Sequence, residues 1–254
     1  MNEENKIEKL SDLDFNKFKL LANDVSLSRY EKIGFFNHFR EGKESLIWED
    51  IQSKVSHLEN DGARILDIGP GCSDLPYMLL KNAEMKKQSV VLIDSEEMLN
   101  QLPNFVFCEK FSAMFPNETK QWSKENTNSF DVIICYSVLH YIAIESSVEL
   151  FVEAVCDLLA PGGTALIGDV PNVSKRNRFF STQEGIRYHQ KNNGKNTFPH
   201  VNWNEKKPGE FNDDDIFSLL KMAREKGVEA FLIPQRSELP MANRREDILF
   251  VKHK

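Results

Sequence analysis

The 254-residue chain is poor in several things, and each shortage removes a class of protein. Its four cysteines, Cys72, Cys108, Cys135 and Cys156, are dispersed, with no Cys-x-x-Cys spacing and no histidine at ligand spacing. That argues against a disulfide framework or a zinc site. No apolar run approaches the roughly 20 residues that a membrane span needs. The opening "MNEENKIEKL" has neither the basic start nor the apolar core of a secretion signal. Positive charge is also scarce: 32 Lys and Arg against 39 Asp and Glu leave a net charge of −7. A surface of that sign repels phosphate backbones and anionic membranes. The expectations are a reducing, cytoplasmic setting, no membrane, no nucleic-acid partner and no metal.

What is present is an alternation of strands and helices. Residues 11–60 read as helical, with "SDLDFNKFKLLAN" opening on a Ser cap and "ESLIWEDIQSKVSHLEN" repeating the helical spacing. Between them "RYEKIGFFNHFREGKE" is aromatic and basic, and reads either as a packed connector or as a lid. From Ala63 short β-branched runs take over: "ARILDIG", "SVVLID", "FVFCE", "SFDVIICYS" and "GTALIGDV". Such runs suit strands buried on both faces, and the intervening helices imply a parallel sheet with right-handed crossovers. Residues 171–210 are looser and polar. "FNDDDIFSLLKMAREKG" is again a helix, in which Asn212 caps and Asp213 to Asp215 complement the positive end; capping explains this triplet better than a metal does. "VEAFLIPQ" and "EDILFVKH" are the last strands.

Chemistry concentrates at "ILDIGPGCSDLP". Gly69 and Gly71 let the backbone turn sharply beside a ligand at a strand end. A dinucleotide fingerprint needs a third glycine, where Asp74 stands and opposes a pyrophosphate. Asp67 ends the strand with a carboxylate suited to a positively charged group. Asp94, ending the next strand, suits the two hydroxyls of a ribose. A loop-capping role for Asp67 and a helix-capping role for Asp94 are the competing readings of each residue taken singly.

These motifs resemble the class I S-adenosylmethionine-dependent methyltransferases over residues 61–170. "ILDIGPGCSDLP" is similar to the glycine-rich first motif, "VLIDSEEM" to the acidic second, "FDVIICYSVLHYI" to the fourth strand, and "LLAPGGTALIGD" to the fifth. The resemblance implies a Rossmann-like, mostly parallel seven-stranded sheet with helices on both faces and an N-terminal helical extension or lid (1–60). The core would span 61–254, with a substrate-binding insert at about 171–210. It also implies S-adenosylmethionine as cofactor and S-adenosylhomocysteine as product. Gly69 and Gly71 would abut the methionine part and Asp67 its ammonium; Asp94 would hold the ribose. Ser95 and Met98 would flank adenine, with Glu109 near its amine and Tyr136 also bordering the cofactor.

The acceptor is less defined. "CYSVLHY" after the fourth strand opposes the Asn/Asp-Pro-Pro-aromatic element of base methyltransferases, and Tyr136 and Ser137 oppose a metal-assisted O-methylation. Asp169, at the end of the fifth strand, is a candidate base or orienting group, or an ordinary turn acid. His140 and His189 are candidate bases, with His200 in the same insert. Asn172, Lys175, Arg176 and Arg178, joined by Arg40, Lys43, Arg244 and Arg245 from distant segments, are candidate contacts for an anionic small molecule. "GDVPNVSKRNRFFS" and "LPMANRRED" further resemble methyltransferases of bacterial surface-polysaccharide synthesis, which implies a phosphorylated or nucleotide-activated sugar acceptor. A nicotinamide-dependent oxidoreductase of activated sugars and a cofactor-binding partner without activity are the alternatives.

Overall fold

The computed structural model describes residues 10 and 12–254. Helices α1 (Phe15–Asn23), α2 (Arg29–Lys32), α3 (Asn37–Arg40) and α4 (Glu44–Lys54) precede the sheet. Asp14 caps α1 by accepting the Lys17 N–H at 2.7 Å; the expected cap, Ser11, lies outside the described residues. A reciprocal capping box between Ser28 and Glu31 starts α2.

Strand and helix then alternate through β1 (Arg64–Ile68), α5 (Asp74–Met85), β2 (Ser89–Asp94), α6 (Glu96–Leu99) and β3 (Cys108–Ser112). After α7 (Lys120–Glu125) come β4 (Phe130–Tyr136), α8 (Leu139–Glu145), α9 (Val148–Leu158) and β5 (Leu159–Pro171). The chain closes with α10 (Val173–Phe180), α11 (Gln183–Asn193), α12 (Asp213–Glu225), β6 (Val228–Ile233) and β7 (Arg245–Lys252).

The sheet has seven strands in the order β3-β2-β1-β4-β5-β7-β6. β1 to β5 run parallel, and β7 lies antiparallel to both neighbours. This is the parallel arrangement that the strand–helix rhythm implied and the Rossmann-like sheet that the family resemblance implied. Alternate residues enter two cores. Ile65, Val90, Leu92, Val132 and Ile134 pack on one face, and Leu66, Ile68, Val91, Ile93 and Ile133 on the other. Burial on both faces is why these strands read as unbroken apolar runs. Cys72, Cys135 and Cys156 are buried, and all four cysteines are free thiols.

Two expectations need correction. The run "FVFCE" is not the third strand: Phe105 and Phe107 stack at 4.9 Å before it, and β3 begins only at Cys108. Apolar content marked this edge; pairing with β2 begins three residues later. The segment after Pro171 is not loose throughout, because Asn172 and Thr182 cap α10 and α11 with their side chains. β5 ends in a kink. A Cβ on Gly168 would stand 2.3 Å from the Tyr136 ring, so a side chain there would displace the ring. Asp169 follows with φ of 56°, and the ladder to β7 slips between Ile167 and Val170.

Candidate active site

The C-terminal ends of β1, β2 and β4 border one cavity. Open α/β sheets bind ligands at these strand ends. The floor is the glycine loop, Asp94, Met98, the Ala113–Phe115 segment, Tyr136 and Ser137. The opposite wall comes from the N-terminal helices through Phe15, Phe18, Ile33, Phe35 and Arg40. That wall was legible only as an aromatic connector with two possible roles.

Gly69 and Gly71 have φ of 69° and 65°. A Cβ on Gly69 would lie 2.7 Å from Val138, and one on Gly71 2.5 Å from Ile33. The loop is thus clamped between the post-β4 turn and the N-terminal wall. Asp94 fastens it further by accepting the Gly71 N–H at 2.9 Å and the Ser95 N–H at 2.7 Å. One N–H per oxygen leaves each oxygen a further lone pair for hydroxyl donors. Burial pushes Asp94 up to about 6, against the pull of these two N–H groups.

Asp67 is buried behind the loop and accepts no side-chain hydrogen bond among the described residues. Burial first, and then Asp94, push it up to about 8. An unpartnered buried carboxyl is costly, and a cationic ligand group relieves the cost. The donor set therefore fits a cofactor that carries an ammonium and a ribose. Ser95 caps α6 by accepting the Met98 N–H at 3.3 Å and does not border the cavity, whereas Met98 does.

At the β4–β5 side, Arg40 donates to Ser137 Oγ at 2.5 Å and lies 3.4 Å from Asp169 Oδ2. Ser137 Oγ donates to the same oxygen at 2.6 Å. Arg245 donates to the Asp169 carbonyl at 3.0 Å, with its Nε 4.0 Å from Oδ1. Burial alone would raise the Asp169 carboxyl, but Arg245, Arg40 and Ser137 together hold it below its ordinary range. Set between two guanidinium groups, it is an ionic anchor. The Arg40 guanidinium also stacks over Phe35 at 4.2 Å. His140 adjoins this group; burial and then Arg245 push it down to about 3, and its Nδ1 is buried without a partner.

Several expected residues are not brought to the cavity. Glu109 is exposed within β3, because the strand starts late and continues past it. Lys43 Nζ bonds the His38 carbonyl at 2.9 Å. Asn172 is a buried cap that donates to Asp213 and Glu246, both at 2.9 Å. Lys175 is held by the Arg245 carbonyl at 2.7 Å, and Arg178 pairs with Asp213. Arg176 lies over Phe180 and opens, with His200, onto a separate surface pocket. His189 packs edge-on to Phe180 on α11, and Arg244 bonds its neighbour Asn243. The basic cluster is dispersed because its acidic partners arrive from α12 and β7. Asp74 also has a partner: Arg29 pairs with it and the Tyr30 hydroxyl donates to it at 2.7 Å, tying α2 to the start of α5. Sequence reasoning missed Phe15, Phe18, Ile33 and Glu145 as cavity residues; nothing local marks them, since docking of the N-terminal helices brings the first three there and α8 carries Glu145.

Comparison with known proteins accords with this geometry. The methyltransferase domain family matches residues 36–203, and the chain belongs to it. It is a class I, S-adenosylmethionine-dependent methyltransferase domain. An mRNA cap guanine-N(7) methyltransferase of Caenorhabditis elegans is 23% identical over 177 residues, covering 62% of this chain and 44% of that protein. The match thus spans less than half the length of that relative. Among solved structures, the N-methyltransferase NodS of Bradyrhizobium japonicum with S-adenosyl-L-homocysteine has a TM-score of 0.58 at 10% identity, covering 94% of this chain and 98% of that one. An O-methyltransferase family protein of Burkholderia thailandensis has a TM-score of 0.55 at 13% identity, covering 99% and 67%. At such identities the two structures speak for the fold alone.

Proposed function

We propose that this domain methylates a small, negatively charged acceptor of the phosphorylated or nucleotide-activated sugar class, in a reducing, cytoplasmic setting. The surface-polysaccharide branch of the resemblance belongs to this reading. The observation that carries it is the cavity. Arg40 lines it, with Arg245 close by at Asp169, and guanidinium groups there suit an anionic acceptor.

When bound, S-adenosylmethionine supplies a methyl group on a sulfonium. The residues of the chain hold and shield it: Asp67 meets the ammonium, Asp94 the ribose hydroxyls, and Phe18 and Met98 exclude water on the apolar side. The N-terminal segment acts as the lid. Arg40 and Arg245 hold the acceptor's charge while Asp169 keeps both guanidinium groups in place.

A thermal-shift titration with S-adenosylhomocysteine, S-adenosylmethionine and NAD tests the cofactor. Stabilisation by the sulfur ligands is expected; stabilisation by NAD alone would overturn the reading in favour of an oxidoreductase. For the acceptor, methyl transfer to nucleotide-activated sugars should show a KM about tenfold higher in Arg40→Met. An unchanged KM rules out the charge-holding role.

A further inference from the structure

The cavity contains an acid that no motif announced. Glu145, the last residue of α8, lines it beside Ser146, Ile142 and the Met114–Phe115 segment that follows β3. The Glu145 carbonyl accepts Asn117 Nδ2 at 3.3 Å, and Ser146 Oγ donates to Asn117 Oδ1 at 2.6 Å, which fixes α8 against the post-β3 loop. One carboxylate oxygen, Oε2, accepts the Phe15 N–H at 2.9 Å and so anchors the start of α1. The other, Oε1, has no partner among the described residues.

Several other polar side chains on the cavity are engaged elsewhere. Asp94 binds two backbone N–H groups at the glycine loop. Arg40 and Ser137 are joined to Asp169 at the β4–β5 side. Ser146 is engaged with Asn117. The same cavity is lined by the apolar side chains of Met98, Phe18, Met114 and Phe115. A flat heterocycle with an amine on its edge suits such a lining, with its faces against apolar side chains and its donor toward Oε1.

We propose that Glu145 selects the adenine of the cofactor by accepting a hydrogen bond from its exocyclic amine. This rests on the cofactor reading above and extends it to a residue outside the family-like motifs. It also accounts for the exposed position of Glu109: the amine is read from α8 and not from β3.

The test is titration calorimetry on the full chain with S-adenosylhomocysteine and with S-inosylhomocysteine, which has a carbonyl in place of the amine. The wild-type protein should prefer the adenine ligand by about tenfold or more, the range of a hydrogen bond to a charged group. In Glu145→Gln the amide oxygen keeps the Phe15 N–H and the amide nitrogen faces the cavity, so the preference should reverse toward the carbonyl ligand. Glu145→Leu should lose adenine affinity by about tenfold without losing affinity for the inosine ligand. An unchanged preference in both variants overturns the role of Glu145 alone. Failure of wild-type protein to bind S-adenosylhomocysteine overturns the cofactor reading and this inference with it.

Discussion

The carboxylate of Asp94 holds the N–H of Gly71 at 2.9 Å, so the acid that ends β2 also sets the shape of the loop that follows β1. Cofactor contact and loop geometry therefore depend on one side chain. Asp94→Ala should weaken S-adenosylhomocysteine by at least about tenfold, the effect of losing a charged hydrogen-bond partner. It should also raise amide exchange at Gly71, measured without ligand. Loss of affinity with unchanged exchange would separate the two roles.

Asp67 sets a pH dependence of definite sign. Its folded value of about 8 lies above the unfolded carboxylate range, so its contribution to stability is intact below that range and is lost as pH rises from there to about 8. Asp67→Asn should therefore melt higher than wild type at pH 8 without ligand, by several degrees, and the gap should close as pH falls to about 4. Ligand binding has the opposite sign, since the ammonium needs the ionised carboxyl. S-adenosylhomocysteine should bind wild-type protein more tightly at pH 8 than at pH 6, and calorimetry should detect proton release.

Asp169 behaves in reverse. Its carboxyl is held low by Arg245 and Arg40, so the stability it confers is present above the unfolded carboxylate range and fades as pH falls through its lowered value. Removing one partner of a buried pair costs about 3 kcal/mol or more. Arg40→Met should show that loss in urea denaturation at pH 7, and a smaller one at pH 3.

The Tyr30–Asp74 contact predicts a local effect. Arg29 is half exposed and Asp74 a third exposed, so solvent screens their ion pair to less than about 1 kcal/mol. Asp74→Ala should leave the global melting temperature within a few degrees. Amide exchange over residues 28–36 and the S-adenosylhomocysteine off-rate should both rise. An unchanged off-rate would mean that α2 does not retain the ligand.

Where signals were local, they were readable from the chain. The glycine turn needs no partner to declare itself, and the order of parallel strands follows from the buried runs that end in Asp67, Asp94 and Tyr136. The box in which Asn212 and Asp215 exchange bonds with each other's backbone N–H is contained within four residues. Charge was different. Lys175, Arg176 and Arg178 look like one patch along the chain, but α10 turns them apart, and Asp213 and Glu246 reach two of them from more than thirty residues away. The position of Glu145 depended on how α8 packs against the loop after β3, and the apolar pair Phe105 and Phe107 imitated a strand that starts at Cys108. Pairing across the fold decided each of these, and periodicity carries no record of it.

The matched methyltransferase stretch begins at Phe36. Phe15, Phe18, Ile33 and Phe35, which form much of one wall of the cavity, all come before it. The sheet and its glycine turn form one side of the cavity, and the preceding segment forms the wall that faces them. Grafting another such segment onto the same sheet is then a direct route to altered ligand residence, with the seven strands left untouched.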